Sequence, residues 1–361
     1  MESPLDARTV RAACTRWLSG HGPRTPLKYV RQMLDALGED DASDFYGSGS
    51  ILEELEAQVA EMLGKPAALF MPSGTMAQQI ALRIWCDEAG TPRVGYHPSS
   101  HLHLHEQQAL VEVHRLEVAL LGEAVRPLCA ADVQAVEGEL GAVLIELAQR
   151  ELGGVLPEWP ALVELVAAAR DKGAAVHMDG ARLWETTPFY GKPLAEIAAL
   201  FDSVYVSFYK GIGGVAGAAL AGSQEHIDEA RIWQRRHGGN VISLWPYAVT
   251  ARHGLAERLE RMPTYVEHMR AFADAMRELP GVTITPDPPH TNMAHVHLPG
   301  SGEALSRAVL EVSQRSGVWL GHPLAEDGRW EMAVGDASLE IEPSELATLV
   351  EEVVRRARAG A

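Results

Sequence analysis

Residues 142–179, AVLIELAQRELGGVLPEWPALVELVAAARDKGAAVHMD, read as one strand–helix–strand unit. Ala142–Leu147 is a short apolar run of buried-strand length. WPALVELVAAARDKG carries Pro160 in its first turn and Gly173 beyond its end, the asymmetry of a helix start and stop. Ala174–Asp179 is a second apolar run. Two such strands joined through a helix predict parallel neighbours in a sheet covered on both faces. The alternation continues outward. Ile51–Leu63 has helical spacing, with Ile51, Leu52, Leu55, Val59 and Leu63 on one side. Ala67–Met71 reads as a strand, Thr75 or Met76 to Trp85 as a helix, PLAEIAALF as a short helix, and SVYVSF and AGAALAG as strands.

Beyond Trp245 the texture changes. Tyr247–Glu260, Tyr265–Leu279, Ala304–Ser316 and Ser344–Arg358 read as helices, and NMAHVHL, GVWLG and RWEMAVG as strands. The expected organisation is an N-terminal segment (1–30), a large α/β domain with a mainly parallel sheet (31–246) and a small α+β C-terminal domain (247–361). No internal repeat or low-complexity tract interrupts it.

The 361 residues carry a formal charge of -18, so a nucleic-acid partner is a poor fit, since phosphate binding needs a basic face. No run approaches the roughly 18 apolar residues of a membrane span. Cys14, Cys86 and Cys129 are widely spaced and form no zinc pattern. These features predict a soluble, cytoplasmic protein with free thiols and no membrane partner.

Strand ends in a parallel sheet gather on one edge, and ligands bind there. Three of these ends carry chemistry. LFMPSGT places Ser73, Gly74 and Thr75 at a strand-to-helix turn, where free helix N–H groups bind phosphate. AVHMDGARLWE places Asp179 and Arg182 after the next strand, and SVYVSFYKG places Lys210 after a third. A phosphate cradle, a buried carboxylate and a buried lysine on one edge match what pyridoxal 5'-phosphate (PLP) requires. The lysine forms a Schiff base, and the carboxylate keeps the pyridine nitrogen protonated. A lysine snorkelling to the surface is the competing reading of Lys210 taken by itself. The glycines that follow Lys210 let the backbone turn and approach the phosphate.

At this point YGSG…LEELEAQVAEMLGKPAALFMPSGTMAQQIAL, VHMDGARLWE and YKGIGG resemble the threonine aldolase and β-eliminating lyase family of fold-type-I PLP enzymes. The resemblance runs from about Ser43 to the C-terminus and is strongest before Trp245. It implies Lys210 as the Schiff-base lysine, Asp179 as the pyridinium partner, Arg182 near the ring hydroxyl, and Ser73, Gly74 and Thr75 at the phosphate. It also implies a homo-oligomer, dimer or tetramer, with active sites at subunit interfaces.

HPSSHLHLHEQQ crowds His97, His101, His103 and His105 together. Strand-like alternation would put His101, His103 and His105 on one face, as in a metal site. The resemblance instead stacks His101 on the cofactor ring, near the substrate's β-hydroxyl, and no metal is expected. Glu106 either orients a histidine or is a solvated carboxylate. RRHGGN (235–240) resembles a segment reaching a neighbouring subunit's phosphate, and equally a helix C-cap. The resemblance implies Arg329 as an arginine that grips the substrate's α-carboxylate, and a surface arginine is the competing reading.

Departures surround the substrate. IELAQRELGGVLP keeps Glu146 but lacks the histidine of the family's Glu-Asn-Thr-His, and Gln149 and Arg150 stand there instead. Gln149, Arg182 and Arg329 are therefore the candidate substrate contacts. Tyr209 precedes the lysine where a small hydroxyl residue is usual. The expected activity is retro-aldol cleavage of a threonine-like β-hydroxy-α-amino acid to glycine and an aldehyde. β-Elimination or another Cα-carbanion reaction is the alternative. A non-catalytic PLP-fold protein and a His-cluster metal-binding protein are more remote.

Overall fold

The computed structural model describes residues 5–321 and 324–359. In chain order its strands are β1 (Arg16–Trp17), β2 (Ala67–Met71), β3 (Arg93–Tyr96), β4 (Glu117–Leu120), β5 (Ala142–Glu146), β6 (Ala175–Gly180), β7 (Ser203–Ser207), β8 (Ala218–Gly222), β9 (Thr283–Thr285), β10 (Met293–His297), β11 (Val318–Trp319) and β12 (Arg329–Ala333). The chain divides into two units. The larger takes Pro26–Glu151 and Leu156–Glu260, and the smaller takes Met1–Thr25, Leu152–Val155 and Arg261–Ala361.

In the larger unit seven strands form one sheet, in the order β2-β8-β7-β6-β5-β3-β4. Only β8 runs against its neighbours, because the turn after Lys210 returns the chain beside β7. β5, β7 and β8 are buried along their whole length, and β6 at all but its first residue. That is why these segments read as unbroken apolar runs rather than alternating ones. The helix Gly74–Ala89 packs Ala77, Ile80, Ala81 and Ile84 onto Leu69, Met71, Tyr205 and Leu220.

The smaller unit has a three-stranded antiparallel sheet, β12-β10-β9, and the two-residue parallel pair β1–β11. Helices Met262–Arg277, Gly302–Ser316 and Pro343–Ala359 belong to this unit, and each buries a stripe of apolar residues. Among the described residues no helix is long and apolar enough to cross a membrane.

One expectation is corrected. Residues His101–His105 form a single helical turn, not a strand. Pro98 follows the end of β3, and a proline cannot donate to a strand ladder. Ser99 N–H bonds the His97 ring instead. In a helix, residues four apart share a face, so the rings of His101 and His105 meet at 5.1 Å while His103 turns toward Tyr96. β3 and β4 were not legible as strands, because RVGY contains Arg and Gly and EVAL lies at the sheet edge.

Candidate active site

β2, β3, β5, β6 and β7 all point their carboxyl ends to the same edge of the large sheet. After β2, Ser73 caps the helix Gly74–Ala89, its Oγ accepting the Met76 N–H at 3.3 Å. The first N–H groups of a helix have no intrahelical partner and face outward. Gly74 is required there, since a Cβ would collide with the Tyr205 hydroxyl.

Asp179 near the end of β6 is register partner to Glu146 at the end of β5, and both are buried. Asp179 Oδ2 accepts from the Gln78 amide at 2.6 Å, and Oδ1 accepts from the Ala181 N–H at 3.0 Å. Glu146 accepts the backbone N–H of Arg150 at 3.0 Å and of His101 at 3.3 Å. Burial first, and then the Asp179 charge, push the Glu146 carboxyl above its ordinary range. Lys210, beyond β7, interacts with these carboxylates and with Arg182. Burial and then Arg182 pull its amine down, while Asp179, Glu146 and Glu185 pull it up, with a net depression. A half-buried amine with a depressed pKa is the kind of lysine that reacts with carbonyls.

The glycines after Lys210 do specific work in the turn. Gly213 adopts φ +73° and its N–H closes the turn onto the Lys210 carbonyl at 2.9 Å. Gly211 lies against the Glu185 carboxylate, where a Cβ would collide with Oε1. Glu185 is buried, its carboxyl raised by burial, and its Oε2 has no hydrogen-bond partner among the described residues.

The histidine turn forms the next part of the wall. His101 Nδ1 lies 3.2 Å from Glu106 Oε1, and the Glu106 carboxylate is 2% exposed. Of the two readings of Glu106, the structure supports orientation of a histidine. His105 Nε2 lies 3.0 Å from Glu151. His97 Nε2 lies 2.9 Å from two backbone carbonyls, so it carries the ring proton, and Nδ1 accepts from Ser99. Gln149 is buried in this wall, its Nε2 donating to Ser99 Oγ at 3.2 Å and Glu146 at 3.4 Å. Among the described residues no group of three or more His, Cys, Asp or Glu is arranged to hold a metal ion.

The structure thus gathers Ser73, Gly74, Thr75, His101, Gln149, Asp179, Arg182 and Lys210 in the larger unit. Arg329 belongs to the smaller unit, where it opens β12 opposite His297, its N–H donating to Asp327. RRHGGN is the end of the helix Gln224–Arg236, capped at His237, with Gly238 at φ +69°. Sequence reasoning missed Gln78 and Glu185. The only signals for them were a glutamine pair one turn inside the helix Gly74–Ala89 and a lone glutamate after Leu183 and Trp184.

Comparison with known proteins gives the family and the fold. The model of the β-eliminating lyase family matches residues 26–299. A Listeria monocytogenes EGD-E structure assigned as an L-allo-threonine aldolase superposes with a TM-score of 0.91 at 40% identity, covering 97% of this chain and 99% of that one. An Exiguobacterium sp. 255-15 structure assigned as an aromatic amino acid β-eliminating lyase/threonine aldolase gives 0.92 at 41% identity, with the same coverage. The low specificity L-threonine aldolase of Escherichia coli (strain K12) is 27% identical over 281 residues, 76% of this chain and 83% of that protein. The architecture is the fold-type-I architecture that the sequence predicts.

Proposed function

This chain belongs to the β-eliminating lyase family, and from that premise we propose a PLP-dependent lyase that cleaves a threonine-like β-hydroxy-α-amino acid to glycine and an aldehyde. The observation that carries this reading is Lys210 beyond the end of β7, a half-buried amine whose pKa is lowered by burial and by Arg182 against the opposing pull of Asp179 and Glu146. The residues present fit the cofactor. Lys210 supplies the amine, Asp179 a buried carboxylate for the ring nitrogen, and Ser73–Thr75 an open helix terminus for the phosphate. The unpartnered Glu185 Oε2 marks unsatisfied polar surface among the groups that act on Lys210. PLP, when bound, supplies an electron sink for the pair left at Cα as the Cα–Cβ bond breaks.

The chain's own residues do the rest. Glu106 orients the His101 ring through Nδ1, which leaves Nε2 to take the β-hydroxyl proton. Arg182 binds a carboxylate or the ring hydroxyl oxygen through its planar guanidinium. Gln149 shapes the wall through Ser99 and Glu146.

We further assign a homo-oligomer in the cytoplasm. Leu27, Val30 and Leu34 of the helix Pro26–Ala36 are exposed, as are Phe45, Tyr46 and Ile242, and the Tyr46 N–H bonds the Ile242 carbonyl. Burying such residues against a second copy supports that state. The three free cysteines fit a reducing compartment.

The test is product analysis with L-threonine and L-allo-threonine. Equal amounts of glycine and acetaldehyde are expected. Ammonia and a keto acid without glycine would instead assign β-elimination.

A further inference from the structure

Gln78 and Trp85 lie seven residues apart on the helix Gly74–Ala89, two turns along one face. His177 and Asp179 are two apart on β6, so both project from one face of the sheet. Ser203 opens β7 directly opposite His177 in register. Hydrogen bonds join these five side chains end to end. Trp85 Nε1 donates to Ser203 Oγ at 2.8 Å. Ser203 Oγ and His177 Nδ1 are 2.7 Å apart. His177 Nε2 and Gln78 Oε1 are 3.3 Å apart, and Gln78 Nε2 donates to Asp179 Oδ2 at 2.6 Å.

The direction of the chain is set from the Asp179 end. A carboxylate only accepts, so the Gln78 NH₂ turns toward Asp179 and its Oε1 toward His177. An amide oxygen also only accepts, so the His177 ring proton sits on Nε2. In the neutral ring Nδ1 then accepts the Ser203 hydroxyl proton, and the Ser203 oxygen accepts the Trp85 N–H. Every donor therefore points toward Asp179. Gln78, His177, Ser203 and Asp179 are all buried. Burial, with His226 next, drives the His177 imidazole down to about 3, which keeps the ring neutral as the chain requires. In such a dry network, aligned hydrogen bonds polarise one another.

We propose that Gln78, His177, Ser203 and Trp85 form a positioning relay that fixes the orientation and supports the negative charge of Asp179. The inference rests on the assignment of Asp179 to the PLP ring nitrogen. The relay residues act through Asp179 and are assigned no contact with substrate.

The test uses the holoenzyme. In ¹⁵N-histidine-labelled wild-type protein, His177 should carry one ring proton, on Nε2. Gln78→Leu removes the last link at similar volume. It should retain the cofactor by absorbance and leave KM within about threefold, with kcat lower by on the order of ten- to a hundredfold. Ser203→Ala, two links further from Asp179, should lose less, and Ser203→Thr should restore the loss. Loss graded by position along the chain is not expected of residues that only fill space.

A His177 proton on Nδ1 would overturn the relay, as would near-wild-type kcat in a fully loaded Gln78→Leu enzyme. If Gln78→Leu does not fold, the wild-type ring proton and the Ser203 pair decide the matter. If wild-type protein binds PLP but releases no glycine from β-hydroxy amino acids, the proposed aldol function fails. The His177 proton position then still decides the relay.

Discussion

Asp179 does not stand alone at its strand end. Glu146 lies beside it in register, Gln78 and the Ala181 N–H donate to it, and Lys210 faces both carboxylates electrostatically. A carboxylate so held stabilises a positive charge brought next to it, which is what a protonated ring nitrogen presents. Asp179→Asn keeps the size and loses the charge. Turnover should fall at least about a hundredfold, equivalent to roughly 2.7 kcal/mol of barrier, while the protein stays folded and retains some cofactor. Steady-state kinetics beside cofactor absorbance make the check, and near-native turnover would make Asp179 a structural residue. Lys210 and Asp179 were legible in the sequence because each is a charged residue at the end of an apolar run. Gln78 was not, because a glutamine on a helix ordinarily reads as a solvated position, and only the packing of that helix against β6 reveals the donor.

At the scale of elements, the strand–helix–strand unit at 142–179 was readable because burial on both faces leaves an unbroken apolar signature. β4 was not readable, since an edge strand with Glu117 and Leu120 exposed lacks that signature. The His101–His105 turn misled because His and Leu alternate over a segment too short for periodicity to separate helix from strand. The helix Gly74–Ala89 is the element on which the proposed site depends most, carrying the Ser73 cap proposed for the phosphate at its start and Gln78 one turn in. Its cap is testable. Ser73→Ala removes the acceptor for the Met76 N–H and should cost about 1 kcal/mol of stability. Urea unfolding of both proteins measures this. An unchanged midpoint would mean that Ser73 contributes nothing to the cap.

At the scale of the whole molecule, buried neutral histidines couple the fold to pH. Burial depresses His177 to about 3, and His114 and His226 to about 4. His114 and His226 have no hydrogen-bond partner at either ring nitrogen among the described residues. The unfolded chain takes up these protons near an ordinary histidine pKa of about 6.5, whereas the folded protein resists them. Their contribution is therefore fully present above about 6.5 and is lost as pH falls toward the folded values. Unfolding midpoints should drop between pH 7 and pH 5. His114→Phe and His226→Phe together should flatten that drop, and an unaltered slope in the double variant would remove these two histidines as its cause.

The claim on which the rest depends is that Lys210 is the residue that binds PLP covalently. Borohydride reduction of the PLP-loaded protein, followed by peptide mass mapping, tests it directly, because reduction turns a lysine–PLP linkage into a permanent tag. The tag is expected on the peptide containing Lys210 and is expected to be absent from Lys210→Ala. A tag on Lys28, Lys65, Lys172 or Lys192, or no tag in protein incubated with PLP, would contradict it.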